Sequence, residues 1–326
     1  MSAPAGAFLA SNMKVTALFL SASLFIFTAC HSKKPATVSA TPESTRLEVY
    51  VTNYPLKYFT ERLAGQEVDI VFPAPKDQDP AFWQPTDAQI TDFQRADLIV
   101  MNGATYSKWA EKVTLPEDKI VDTSLGFKNR FIVIKNAVTH SHGKQGMHSH
   151  DGTSFTTWID FQQAILQVDT LNEALKRLKP DSIELFAQDF DLLKKDLLAL
   201  DMRMETVGKK LAGRPLVASH PVYQYWARRY NINLQHVLWE PEEVPTDAQM
   251  DDLKAILATH PAKWMVWEGE PAKESVEKLK AIGVSSAVFD PCANTPDKGD
   301  FLSVMKANVS SMEKLVATLD EDVKKN

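Results

Sequence analysis

The chain has 326 residues, 44% of them apolar and 24% charged, with a net charge of −6. That apolar share is enough for a sizeable folded core, and the acidic balance argues against nucleic acid as a partner. Cys30 and Cys292 are the only two cysteines.

Val15–Ala29 is an apolar run preceded by Lys14 and closed by Phe27-Thr28-Ala29-Cys30. A basic residue, an apolar core and a small-residue cleavage site predict an export signal over 1–29, with Met13 as an alternative start. The run is shorter than the roughly 20 apolar residues of a spanning helix. Cys30 after small residues resembles the lipobox of bacterial lipoproteins, which predicts a lipid anchor on Cys30. Loss of the signal removes Lys14 and no acid, so the charge goes from −6 to −7. With Cys30 lipidated, Cys292 has no partner for an intrachain disulfide and is expected to be buried. Residues 30–46 are rich in Ser, Thr, Pro and Lys without apolar periodicity, which reads as a tether.

From Leu47 short β-branched runs alternate with amphipathic helices. LEVYVTNYP (47–55) reads as a strand, LKYFTERLAG (56–65) as a helix and EVDIVFPA (67–74) as a strand. TDAQITDFQRA (86–96) reads as a helix capped by Thr86, and DLIVMNG (97–103) as a buried strand. KIVDTS (119–124) and RFIVIK (130–135) extend the strand pattern. The alternation predicts a parallel sheet flanked by helices, an N-terminal α/β lobe over 47–180.

Four of the eight histidines, His140, His142, His148 and His150, crowd into the loop 139–151. Imidazoles at that density, spaced by Gly, Ser and Lys, cannot pack into a core, and neutral ring nitrogens bind borderline metals such as zinc.

A stripe then runs Ile183, Phe186, Phe190, Leu193, Leu197, Leu200, Met204, Val207, Leu211, with spacings of three and four throughout. It predicts one connecting helix over 181–211, roughly 40 Å long at about 1.5 Å per residue. A coiled-coil dimer is the competing explanation, but the α/β pattern on both sides favours a spine within a monomer. The C-terminal α/β lobe, 212–326, repeats the alternation. Its strands are PLVASH (215–220), NLQHVLW (233–239), KWMVWEG (263–269) and SAVFDP (286–291).

Taken together, DPAFWQPTDAQITDFQRADLIVMNGATYSKW (79–109), the His-rich loop leading into TTWIDFQQA (156–164), SHPVYQYWARRYNIN (219–233), EPAKESVEKL (270–279) and DPCANT (290–295) resemble the periplasmic zinc/manganese-type solute-binding lipoproteins of ABC importers. The resemblance covers nearly the whole mature chain. It implies two α/β lobes joined by a long helix, with a metal held in the cleft by about three His and one carboxylate. It also implies zinc, or alternatively manganese, as cargo, and an ABC permease with its ATPase as partners. The location implied is extracytoplasmic, the periplasm or the cell surface.

Two positions of that ligand scheme are present, His220 and Asp290, both at strand ends of the C-terminal lobe. Two are replaced: Ala81 follows Pro80, and Thr156 and Thr157 precede Trp158-Ile159-Asp160. One imidazole and one carboxylate do not fill a zinc shell. The His-rich loop is one source of replacements, and Asp77, Asp79 and Cys292 are another. A third reading is a degenerate cleft for a non-metal ligand or a metal chelate, with Phe82, Trp83, Trp239 and Trp267 as aromatic lining or, more simply, as lobe packing. No HExxH, GxSxG or P-loop pattern supports an enzyme.

Overall fold

The computed structural model describes residues 46–134, 139–141, 147–149 and 152–325. The signal 1–29, Cys30, the tether up to residue 45, His142, His150 and the side chains of His140 and His148 lie outside it.

Two four-stranded, all-parallel sheets share one topology. The first runs β1 (Leu47–Val51), β2 (Val68–Val71), β3 (Leu98–Met101) and β4 (Ile120–Asp122) in the spatial order β2-β1-β3-β4. Its helices are α1 (Tyr54–Ala64) and α2 (Asp87–Arg95). β3 is the continuous apolar run Leu-Ile-Val-Met, as expected of a strand covered on both faces. RFIVIK contributes no strand to this sheet. Only β5 (Val133–Ile134) forms, paired antiparallel with β8 (Gly152–Thr153), and Val133 is exposed. Among the described residues no helix carries the chain back in parallel, and β5 and β8 form an antiparallel pair instead. Between them in the chain, β6 (Thr139–Ser141) and β7 (Met147–Ser149) pair antiparallel, with His140 in register with His148.

After α3 (Phe161–Leu178) comes the spine, α4 (Ile183–Leu211). Phe186, Leu193, Leu197, Leu200, Met204, Val207 and Leu211 of the stripe are buried, while Ile183 at its first turn is exposed. One continuous core holds these residues together with Val49 and Val51 of the first sheet and Leu216, Ala218 and Val266 of the second. Both lobes are therefore packed onto the same helix, and smaller outer cores lie in each lobe.

The second sheet runs β9 (Leu216–Ala218), β10 (Leu234–His236), β11 (Trp264–Trp267) and β12 (Ser285–Val288) in the order β10-β9-β11-β12. Its helices are α5 (Gln224–Tyr230), α6 (Asp247–Thr259) and α7 (Lys273–Ala281). The two lobes repeat a local signal as well. Pro85-Thr86-Asp87-Ala88-Gln89 and Pro245-Thr246-Asp247-Ala248-Gln249 open α2 and α6 with the same reciprocal capping box. A last helix, α8 (Phe301–Lys325), was not among the predicted elements. It lies along the spine through the ion pairs Arg203–Glu313 and Arg214–Asp320, burying Phe301, Met305, Val309, Met312 and Val316.

Where the spine packs against α5, Gly208 faces Tyr230. A Cβ at position 208 would stand 2.2 Å from the Tyr230 carbonyl oxygen, a backbone atom that cannot swing aside. Gly208→Ala is expected to cost about 2 kcal/mol, overpacking outweighing the gain in helix propensity. Chemical denaturation checks this, and a stability equal to the parent's would show that the two helices separate easily.

Candidate metal centre

Ligands of open parallel sheets gather beyond the carboxyl ends of the strands, where the strand order reverses. In the second sheet that point lies between β9 and β11. Ser219 continues the β9 ladder by donating its N–H to the Val266 carbonyl (2.9 Å), and His220 follows it, 4% exposed. Glu268 follows β11 directly. The extended chain after β10 runs past β9 through Trp239 N–H to the Ser219 carbonyl (2.8 Å) and delivers Glu240. Asp290 stands two residues beyond β12. All four strands of this sheet thus present one donor residue at the same end.

Three of the donors converge. His220, Glu240 and Glu268 each offer an atom within 4.8 Å of the others. His220 Nδ1 lies 3.5 Å from Glu240 Oε1 and 3.6 Å from Glu268 Oε1. A tetrahedron with bonds of 2.0–2.1 Å has edges of about 3.3 Å, so the spacing suits a zinc-sized cation with little adjustment. Burial, reinforced by the negative charges of Glu240, Asp79, Asp290 and Glu242, pushes the Glu268 carboxyl well above the usual carboxylate range. A dication set among these carboxylates would relieve that repulsion.

Asp290 lines the same cleft outside the three-donor group. Its backbone is gripped from α8: its N–H donates to Asn308 Oδ1 (2.9 Å), and Asn308 Nδ2 donates to its carbonyl (2.7 Å). Its Oδ1 accepts the Cys292 N–H at 2.6 Å, and burial raises its pKa. Cys292 is buried, as expected, and burial together with the Asp290 charge pushes its thiol up, which disfavours the thiolate a metal needs. Asp77 is exposed at the rim, and Asp79 lines the cleft while its Oδ1 accepts the Ala81 N–H at 2.8 Å.

The N-terminal wall is built differently. The equivalent strand ends of the first sheet carry Asn53 and Asn102. Asn53 caps α1, and Asn102 accepts from Asn53, Thr157 and Gln167 in a buried network. That network occupies the first lobe's own switch point. Thr156 lines the cleft and donates its hydroxyl to the Val222 carbonyl of the other lobe. Trp158 Nε1 also spans the lobes to the Pro291 carbonyl (2.7 Å), as does Asn294 Nδ2 to the carbonyls of Pro75 (2.8 Å) and Gln78 (2.7 Å). The cavity between the walls is about 390 Å³. Of the four aromatic residues considered for its lining only Phe82 is there. Trp83 packs against Trp109, and Trp239 against Trp267, inside the lobes.

A model of the family described as zinc-uptake complex component A, periplasmic (ZnuA), matches residues 49–315. The chain belongs to the ZnuA family. It is 24% identical over 317 residues to the high-affinity zinc uptake system protein ZnuA of Bacillus subtilis, covering 92% of this chain and 97% of that one. It is 24% identical over 307 residues to the manganese ABC transporter substrate-binding lipoprotein scaA of Streptococcus gordonii, covering 89% and 94%. Among solved structures it resembles the metal-dependent lipoprotein YcdH of Bacillus subtilis, with a TM-score of 0.70 at 21% identity over 82% of this chain and 99% of that one.

His220 and Asp290 lie beyond the ends of β9 and β12, the strand ends at which the sequence places them, and Glu240 and Glu268, which the sequence reading did not single out, stand beside His220. Both carried a signal. Glu268 ends the strand KWMVW, and Glu240 occupies, ahead of the second Pro-Thr-Asp-Ala-Gln, the place that Pro80 occupies ahead of the first.

Proposed function

We propose that this protein is an extracytoplasmic solute-binding component of a metal importer. It captures a divalent cation, zinc in the first place, between His220, Glu240 and Glu268, and delivers it to an ABC permease driven by its ATPase. Asp290 and Asp79 contribute charge around the ion. The carrying observation is the imidazole 3.5 and 3.6 Å from two carboxylates, all three donors within 4.8 Å of one another at the switch point of the second sheet. A nitrogen with two oxygens favours zinc over manganese by the general order of divalent affinities. The role is capture and release without catalysis, by a monomer.

Zinc titration of the domain 47–326 beside a form lacking Thr139–Asp151 tests this. One tight site is expected in both forms, with only weaker additional binding lost on deletion. Loss of the tight site on deletion would transfer the ligand role to His140, His142, His148 and His150. No tight site in either form would end the metal reading.

The anchor belongs to the same proposal. Among the described residues no helix is long and apolar enough to cross a membrane. Membrane attachment is assigned to lipid on Cys30. Cys30→Ser is expected to abolish lipid labelling and release the protein from membranes, and retention at the processed mass would remove Cys30 from that role.

A further inference from the structure

Three donors from one lobe leave a tetrahedral position open, and the carboxylates of Asp79 and Asp290 lie outside the three-donor group. The opposite wall offers a different group. Tyr106 lines the cleft, is 1% exposed, and its hydroxyl has no hydrogen-bond partner among the described residues. A buried hydroxyl without a partner lowers stability, so its retention calls for a reason. The backbone leading to it is also costly. Gly103, Ala104 and Thr105 are all left-handed, at φ 72°, 50° and 60°, an uncommon conformation for alanine and a poor one for a β-branched threonine. The ring is fixed edge-on against Phe155 (5.3 Å) and Trp158 (5.7 Å). Burial and the neighbouring Asp79 charge hold the phenol well above its ordinary pKa, so it stays a neutral O–H donor and does not become a phenolate ligand.

We propose that Tyr106 donates a hydrogen bond to an oxygen ligand that the metal ion brings with it, held at the coordination position the C-terminal lobe leaves open. The inference rests on the reading of the cleft as a metal site. The cavity of about 390 Å³ far exceeds the roughly 30 Å³ share of one water, so an ion with an attached oxygen ligand fits. Recognition is then divided between the lobes: the C-terminal lobe binds the cation, and the N-terminal lobe reads what the cation carries. The oxygen belongs either to water or to the carboxylate of a small chelating molecule.

Tyr106→Phe keeps the ring and removes the donor. Zinc affinity, measured by competition with a chromophoric chelator, is expected to fall about tenfold. The metal-free variant is expected to be no less stable than the parent, because an unsatisfied hydroxyl has gone and the ring contacts remain. Unchanged zinc affinity overturns the proposal, and so does a clear loss of metal-free stability, which would give the hydroxyl a purely structural role. A parent that binds no zinc overturns the metal reading itself and this inference with it. Cobalt(II) spectra separate the oxygen sources. A band that acetate shifts in the parent and not in Tyr106→Phe identifies a carboxylate. A band that differs between the two proteins but ignores acetate identifies water. Identical bands in both proteins, with and without acetate, overturn the proposal.

Discussion

His220→Ala is expected to weaken zinc binding by about a thousandfold. Structural zinc sites draw roughly 10–16 kcal/mol from their ligands, and loss of the one buried nitrogen donor removes several of these. His220 is also the member of the group common to both short spacings, 3.5 Å to Glu240 and 3.6 Å to Glu268. Competition with a chelator of known affinity measures the effect, and a variant within tenfold of the parent would exclude His220 from the site. Glu268→Gln should weaken zinc in the same direction while acting oppositely on the metal-free protein. The folded-state pKa of Glu268 is raised above its ordinary value of 4.5, so its contribution to stability is present below that value and lost as pH rises through the raised one. The amide that replaces the carboxyl in this variant does not titrate. The metal-free variant should therefore gain on the parent as pH climbs from about 4.5 and hold that advantage once Glu268 has ionised in the parent.

The second large effect concerns the junction of the lobes. Asp201 on α4 is 3% exposed in the middle of the apolar stripe. Its carboxylate accepts Arg229 Nε (3.1 Å) and Nη2 (2.6 Å), the Tyr230 hydroxyl (2.9 Å) and Gln162 Nε2 (2.6 Å). One side chain of the spine thereby holds α5 of the second lobe and α3 of the first. Asp201→Leu is expected to cost about 3 kcal/mol, because breaking a buried pair strands its partner's charge. The figure sits at the lower end for such pairs because Arg229 keeps Glu205 at 2.8 Å and some solvent. Adding Arg229→Met should recover much of the loss, since the stranded cation is then gone. Denaturant unfolding with unchanged slope is the readout. A single variant within about 0.5 kcal/mol of the parent would remove this network from the account of how the lobes are joined.

Periodicity alone determined the two α/β lobes and the spine, because strand and helix periods of 2 and 3.6 are local properties of the chain. The stripe from Phe186 to Leu211 marks the interior face of α4 for that reason, with Ile183 exposed only because it lies in the first turn. Motif resemblance placed His220 and Asp290 at strand ends, again from short segments. The α8 helix escaped notice although Phe301, Met305, Val309 and Met312 carry the same spacing. Glu240 and Glu268 were not legible as partners of His220. They are remote from it in sequence, and each sits in a stretch that reads as an ordinary strand end. Only the parallel order β10-β9-β11-β12 brings three such ends to one point, because a carboxylate joins an imidazole through the pairing of strands and not through spacing along the chain. The N-terminal wall has the same origin. Ala81 and Thr156 read as losses in one dimension, whereas the folded chain uses Thr156 as a bond between lobes and sets the buried Tyr106 among the residues that line the cleft.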